Sequence, residues 1–231
     1  MTADSTQPPN SGPFDARSRD CPRCLKDSRT CICDGITPLA TRLHVLILQH
    51  PREPDRILGT GRIAALALTN STLKVGLSWP NLARALGRPA TPAAWGVLYL
   101  GGKRESPRAR TAPLLTVFAK GQPIAPSEAA LPLEGIVLLD ATWKQAKSIW
   151  WRNPWLLKLR RIVLNPPAPS LYGDLRREPR RACLSTIESI ALCLTALGEP
   201  PAVSDALFSH MRRLIARVNG LGPLNGNFGE S

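Results

Sequence analysis

An α/β domain with a mainly parallel sheet is the fold class this sequence predicts, on three observations. Short Leu-, Ile- and Val-rich runs alternate along the chain with helical patterns, the order that builds strand–helix–strand units. Several of those runs are apolar at nearly every position, as in strands covered by helices on both faces. With 231 residues, 43% of them hydrophobic, the chain can bury a proper core, which excludes a wholly disordered or collagen-like polymer. No run approaches the roughly 20 apolar residues of a membrane-spanning helix, and Met1–Asp20 lacks the apolar centre of a secretory signal. A cytoplasmic protein without a membrane partner is expected.

Residues 1–20, with Pro8, Pro9, Asn10, Ser11, Gly12 and Pro13, cannot offset their ordering entropy by burial and read as a disordered tail. Residues 21–36 hold a cysteine cluster, 37–220 the α/β domain and 221–231 a flexible C-terminal tail. Strands are predicted at Arg42–Gln49, Thr72–Leu77, Gly96–Leu100, Gly135–Asp140 and Arg161–Asn165. Helices are predicted at Ile57–Leu68, Asn81–Leu86 and Trp143–Arg152. Clustered Pro and Gly make Gly101–Pro113 and Gly121–Pro132 long surface loops. Ser185-Thr186-Ile187-Glu188 is a capping-box sequence: the serine hydroxyl accepts from the N–H three residues on, while Glu188 reaches back. Ile187, Ile190, Ala191, Leu194 and Leu197 then form one apolar stripe, ended by Gly198 and Pro200. A last helix begins near Ser204 and buries Phe208, Met211, Ile215 and Val218, leaving Arg212, Arg213 and Arg217 on a solvated face.

Four of the six cysteines, Cys21, Cys24, Cys31 and Cys33, are spaced C-x2-C-x6-C-x-C. Each close pair aims two sulfurs at one point, and the spacer lets the pairs meet, as a tetrahedral four-cysteine zinc site requires. A reducing compartment disfavours disulfides. Arg19, Arg23, Lys26 and Arg29 offset the double negative charge of four thiolates around Zn²⁺. With four sulfurs the site has no open position and is structural. Cys183 and Cys193 read as small buried residues.

The 30 Lys and Arg against 17 Asp and Glu give a net charge of +13 and a pI near 10.3. A balanced surface would be equally soluble, so the excess points to a polyanionic partner, RNA first, whose phosphates release counterions on binding. Strand Gly135–Asp140 ends in Asp140-Ala141-Thr142-Trp143, and an acid at the carboxyl end of a parallel strand lies where α/β sheets take ligands. Such an acid is also an ordinary helix cap. Trp143 offers a stacking surface, and Lys144, Lys147 and Arg152 open a basic tract with no acid before Asp174, a pattern suited to an unstacked base and its phosphates. Asn165-Pro166-Pro167-Ala168-Pro169-Ser170-Leu171-Tyr172-Gly173 makes an extended loop, followed by Arg176, Arg177, Arg180 and Arg181 and by the capped helix. Neither a P-loop nor G-x-G-x-x-G occurs, which argues against an ATPase or dinucleotide enzyme. None of the three histidines sits in a catalytic-triad or metal-ligand context.

With D-x-T-W at Asp140, Thr142 and Trp143, L-S-T-x-E at Leu184, Ser185, Thr186 and Glu188, and the preceding cysteine cluster, the sequence resembles the DTW-domain tRNA-uridine aminocarboxypropyltransferases. The resemblance runs from roughly Cys21 to Leu197, and His50-Pro51-Arg52-Glu53 fits it. Asn165-Pro166 and Tyr172-Gly173 are similar to the related ribosomal-RNA aminocarboxypropyltransferases. Leu58-Gly59-Thr60-Gly61 departs from the family's T-N-T-G. The resemblance implies a SPOUT-like knotted fold with S-adenosylmethionine bound near the C-terminal half. It implies transfer of the 3-amino-3-carboxypropyl group to N3 of a tRNA uridine, with the variable loop favoured, and release of methylthioadenosine.

In that scheme Asp140 removes or positions the N3 proton, Thr142 holds the loop and Trp143 stacks on the base. Leu164, Asn165, Tyr172, Gly173, Leu184, Ser185 and Thr186 form the donor pocket. Lys144, Lys147 and Arg152 contact RNA, while Arg176, Arg177, Arg180 and Arg181 suit either RNA phosphate or the methionyl carboxylate. The competing readings are a ribosomal-RNA aminocarboxypropyltransferase, a SPOUT-type RNA methyltransferase releasing S-adenosylhomocysteine, and a zinc-bearing RNA-binding protein without catalysis.

Overall fold

The computed structural model describes residues 20–53, 57–98, 113–124, 133–175 and 184–221. Its strands are β1 (His44–Gln49), β2 (Ser71–Val75), β3 (Trp95–Leu98), β4 (Leu115–Ala119), β5 (Gln122–Ile124), β6 (Gly135–Asp140) and β7 (Arg160–Leu164). The helices are α1 (Gly61–Ala67), α2 (Leu82–Leu86), α3 (Trp143–Arg152), α4 (Thr186–Ala196) and α5 (Pro201–Asn219), with a 3-10 turn at Pro154–Lys158. The strands form one seven-stranded sheet in the order β2-β1-β6-β3-β7-β4-β5. Neighbours from β2 to β7 run parallel, and the β4–β5 hairpin adds an antiparallel edge.

Strand alternation divides the core in two. Val45 and Ile47 of β1, with Ile136 and Leu138 of β6, face α1, α4 and α5. Leu46 and Leu48, with Val137, face α2, α3 and the Pro154–Lys158 turn around Trp95. Both sheet faces are therefore covered, which is why β1 and β6 read as continuous apolar runs. Gly135 lets this happen at close range: a Cβ there would lie 2.6 Å from the Trp95 ring and 2.5 Å from the His44 carbonyl. The cysteine segment joins the first layer, its Cys24, Ile32, Cys33 and Ile36 packing in the same cluster as Met211 and Val218 of α5.

Several boundaries differ from expectation, each for a physical reason. β5 falls inside the stretch expected as a loop, Gly121–Pro132; the residues beyond Ile124 lie outside the described set. Its signal is hidden by Pro123 and by a turn whose Lys120 and Gly121 have φ of 49° and 82°, whereas pairing of β4 with β7 supplies the strand geometry from outside. α1 starts at Gly61 rather than Ile57, because Leu58 and Thr60 bond to other segments. α5 starts at Pro201 rather than near Ser204, using proline at a position where its missing N–H costs nothing. Leu207 and Leu214 share the burial of Met211 and Val218, while Phe208 and Ile215 are half-buried at the edge. The tail 1–19, the loop residues 101–112, the basic run 176–181, Cys183 and the tail 222–231 lie outside the described residues. Among those described, no helix is long and apolar enough to cross a membrane.

Candidate active site and metal centre

β1 and β6 end side by side, with Gln49 paired directly to Asp140. Both buried side chains fall on the α1–α4–α5 side, at the carboxyl edge of the parallel strands. Gln49 Nε2 donates to Asp140 Oδ2 at 2.6 Å, and Thr186 Oγ1 donates to Oδ1 at 2.5 Å. The D-x-T-W and L-S-T-x-E motifs thus meet at one carboxylate. Gly61 opens α1 against it: a Cβ there would lie 2.2 Å from Asp140 Oδ2, so only glycine permits this approach. Asp140 is not a helix cap. Thr142 caps α3, accepting from the Gln145 N–H while the Gln145 side chain accepts from the Thr142 N–H at 2.9 Å. The Thr142 N–H also donates to Oε1 of buried Glu53 at 3.2 Å.

The first turn of α4 locks two loops around this carboxylate. Ser185 and Glu188 form the expected capping box. Glu188, buried, also accepts from the Ser170 hydroxyl and the Leu171 N–H, each at 2.7 Å. Tyr172, next in the chain and buried, donates its hydroxyl proton to the Leu58 carbonyl. Thr60 Oγ1 accepts from the Ile187 N–H at 3.2 Å. The segment that departs from T-N-T-G therefore belongs to the site. At Leu58 it contributes a backbone carbonyl, which any side chain leaves available, and its retained Thr60 and Gly61 supply what only those residues offer.

The remaining candidates are placed less tightly. Leu164 ends β7, two strands from β6, and Asn165 follows it, its N–H donating to the Leu114 carbonyl. Gly173 has a φ of 51° and begins a short 3-10 turn. Leu184 and Trp143 are half-buried, and Lys144, Lys147 and Arg152 stand exposed on α3. Arg176, Arg177, Arg180 and Arg181 are outside the described residues. Gln49, Glu53, Thr60 and Gly61 are not among the site residues expected from the sequence. His50-Pro51-Arg52-Glu53 was a signal for Glu53, but nothing in a strand's apolar run marks its last residue as a partner for Asp140.

The four clustered cysteines converge. Their Sγ atoms all lie within 4.8 Å of one another, with Cys21–Cys33 at 3.8 Å and Cys24–Cys31 at 3.7 Å. Sulfurs about 2.3 Å from a tetrahedral centre stand about 3.8 Å apart, so the set fits a four-coordinate metal. The Cys24 N–H lowers the Cys21 thiol to about 6, while burial raises Cys24 to about 11 and pushes Cys33 up as well. A bound cation would reverse those upward shifts. Two arginines of α5 clasp the loop, in contrast to the solvated face expected. Arg217 pairs with Asp34 at 3.1 Å and donates to the Cys31 carbonyl, and Arg213 donates to the Gly35 carbonyl at 2.9 Å. Lys26, between the cysteine pairs, is buried, which lowers it to about 8, and its Nζ donates to the Ile57 carbonyl at 2.7 Å. The cysteine cluster is thereby tied to the loop that approaches Asp140. Cys193 is fully buried, and burial raises its thiol to about 12.

The sequence profile of the DTW domain matches residues 18–219. The chain is 31% identical over 220 residues to a Drosophila melanogaster protein named tRNA-uridine aminocarboxypropyltransferase 2, spanning 91% of this chain and 76% of that one. A mouse protein of the same name is 28% identical over 203 residues, covering 86% of this chain and 63% of its own length. An Arabidopsis thaliana protein named tRNA-uridine aminocarboxypropyltransferase A is 25% identical over 202 residues, 78% of this chain and 73% of that one. The chain thus spans less than two thirds of the mouse relative. No solved structure shows a significant match.

Proposed function

The chain belongs to the DTW-domain family, and from that premise we propose that it transfers the 3-amino-3-carboxypropyl group of S-adenosylmethionine to N3 of a tRNA uridine. The observation that carries the reading is the meeting of two distant motifs at Asp140, where Thr186 and Gln49 hold a buried carboxylate at the strand edge. The donor supplies an electrophilic carbon beside a sulfonium, a good leaving group. The protein's task is then orientation and proton removal. Asp140 carries about four acceptor positions on its two oxygens; Gln49 and Thr186 occupy one on each. An N3–H can use another, its proton passing to Asp140 as nitrogen bonds to the carbon and methylthioadenosine departs.

The pocket chemistry fits N–H donors on the ligands. Gln49 turns its amide N–H to Asp140, and its buried Oε1 has no partner among the described residues. An unpaired buried acceptor costs roughly 1–3 kcal/mol, and an ammonium or uridine N–H would satisfy it. Tyr172, Ser185 and Thr186, fixed through Leu58 and Glu188, would shape the donor pocket together with Leu164, Asn165, Gly173 and Leu184. Thr142 would hold the loop below Trp143, which stacks on the base. The cysteine cluster would hold a structural zinc, since four sulfurs leave no open position. Identification of the small product after incubation with S-adenosylmethionine and tRNA tests the reading. Methylthioadenosine is expected; S-adenosylhomocysteine would mean methyl transfer.

A further inference from the structure

We propose that the outer face of α2, α3 and the Pro154–Lys158 turn is the surface on which RNA docks, with Trp151 as a stacking platform for an unpaired base. This rests on the reading of the chain as a tRNA-modifying transferase. Residues 57–98 and 141–173 contain no Asp or Glu. The fold lays α2 and α3 from these two stretches on the same side of the sheet, through Leu82, Ala85, Ile149 and Leu156. Arg84, Arg88, Lys144, Lys147, Arg152 and Lys158 are exposed there. Glu134, outside both stretches, meets this layer where it accepts from the Trp95 indole N–H, and the opposite layer has Asp27, Asp34 and Asp205 among its side chains.

Within this cationic field Trp151 is 79% exposed and Leu157 69%. Lys144, Lys147 and Trp151 lie three and four residues apart on one stripe of α3, opposite buried Ala146 and Ile149. α3 begins immediately after Thr142, so the stripe starts at the edge of the candidate site and runs from it for about 10 Å at the helical rise. A second copy of this face would bring like charges together, and an ordinary protein partner has no reason to select so cationic a rim. A single-stranded polyanion suits both features: phosphates meet the cations and a base covers the indole.

The test is tRNA affinity measured across a salt series for wild type, Trp151→Ala, Trp151→Phe, Lys147→Glu and Lys158→Glu. Trp151→Ala is expected to bind about tenfold more weakly and Trp151→Phe to keep most of the affinity. Each charge reversal should flatten the log–log salt dependence by about 0.7–0.9 or more. These positions are exposed, so thermal midpoints should hold and exclude misfolding as the cause. Unchanged affinity in Trp151→Ala together with unchanged slopes would overturn the proposal. So would a wild-type dimer that Trp151→Ala dissociates with tRNA affinity intact, which would assign the face to a second copy. Binding needs no turnover, so a protein that transfers nothing would sink the transferase reading while the slopes still decide the docking face.

Discussion

In the proposed reaction Asp140 is the single residue on which the chemistry turns. Replacement by Asn is a clean perturbation here: Oδ1 can still accept from Gln49, and Nδ2 can donate to Thr186, whose hydroxyl simply reverses its role. The fold should persist while the charge is lost. Single-turnover transfer should then fall by roughly 10² or more, the scale of losing a general base, and raised pH should restore part of it by ionising the uridine. A folded Asp140→Asn protein with wild-type turnover would contradict the assignment. Gly61→Ala probes the same carboxylate from above, since its Cβ would fall 2.2 Å from Oδ2. Moving α1 or the carboxylate should cost about 1–3 kcal/mol, seen in urea unfolding, with turnover falling as well; unchanged stability and rate would show that the contact relaxes freely. Asp140 and Thr186 were legible in the sequence because their motifs name them. Gln49 and Gly61 were not, since their importance arises from strand register and helix approach, which only the assembled fold defines.

Among the elements, those governed by local rules were read closely. The capping box at Ser185 and the limits of Trp143–Arg152 and Gly135–Asp140 follow from neighbours in the chain. The β4–β5 hairpin did not, because its partner β7 lies far along the sequence. The cysteine element was legible by spacing, but its clasp by Arg213 and Arg217 was not: arginines on an amphipathic helix look solvated until an acid from elsewhere meets them. Cys24→Ser should lower metal content measured by elemental analysis and destabilise the segment around it. Because Cys24 and Cys33 are raised by burial, metal uptake at neutral pH should release protons, and affinity should fall as pH falls. Titration calorimetry in buffers of different ionisation enthalpy measures that release. Carefully purified protein free of zinc would count against the site.

At the scale of the whole molecule, the double-layered sheet was legible from its apolar runs, and the +13 charge from composition; the gathering of Arg84, Arg88, Lys144, Lys147, Arg152 and Lys158 on one side of the sheet emerged only on folding. Stability also integrates over the molecule. His44, His50 and His210 are all held below their ordinary 6.5 by burial. The unfolded chain takes up those protons first, so stability is present above about pH 6.5 and declines as pH falls towards the lowered folded values. His210→Phe, replacing a buried ring whose nitrogens have no partner among the described residues, should reduce the loss of urea midpoint between about pH 7.5 and 5.5; equal losses in the two proteins would contradict it. The most direct measurement of the central claim follows isotope from donor to tRNA, with S-adenosylmethionine labelled either in its aminocarboxypropyl chain or in its methyl group. The account predicts that chain label enters uridine at N3 with the wild-type protein, that methyl label stays in methylthioadenosine, and that Asp140→Asn binds tRNA but transfers little. Methyl label in the RNA, or chain label transferred at the wild-type rate by Asp140→Asn, would contradict it.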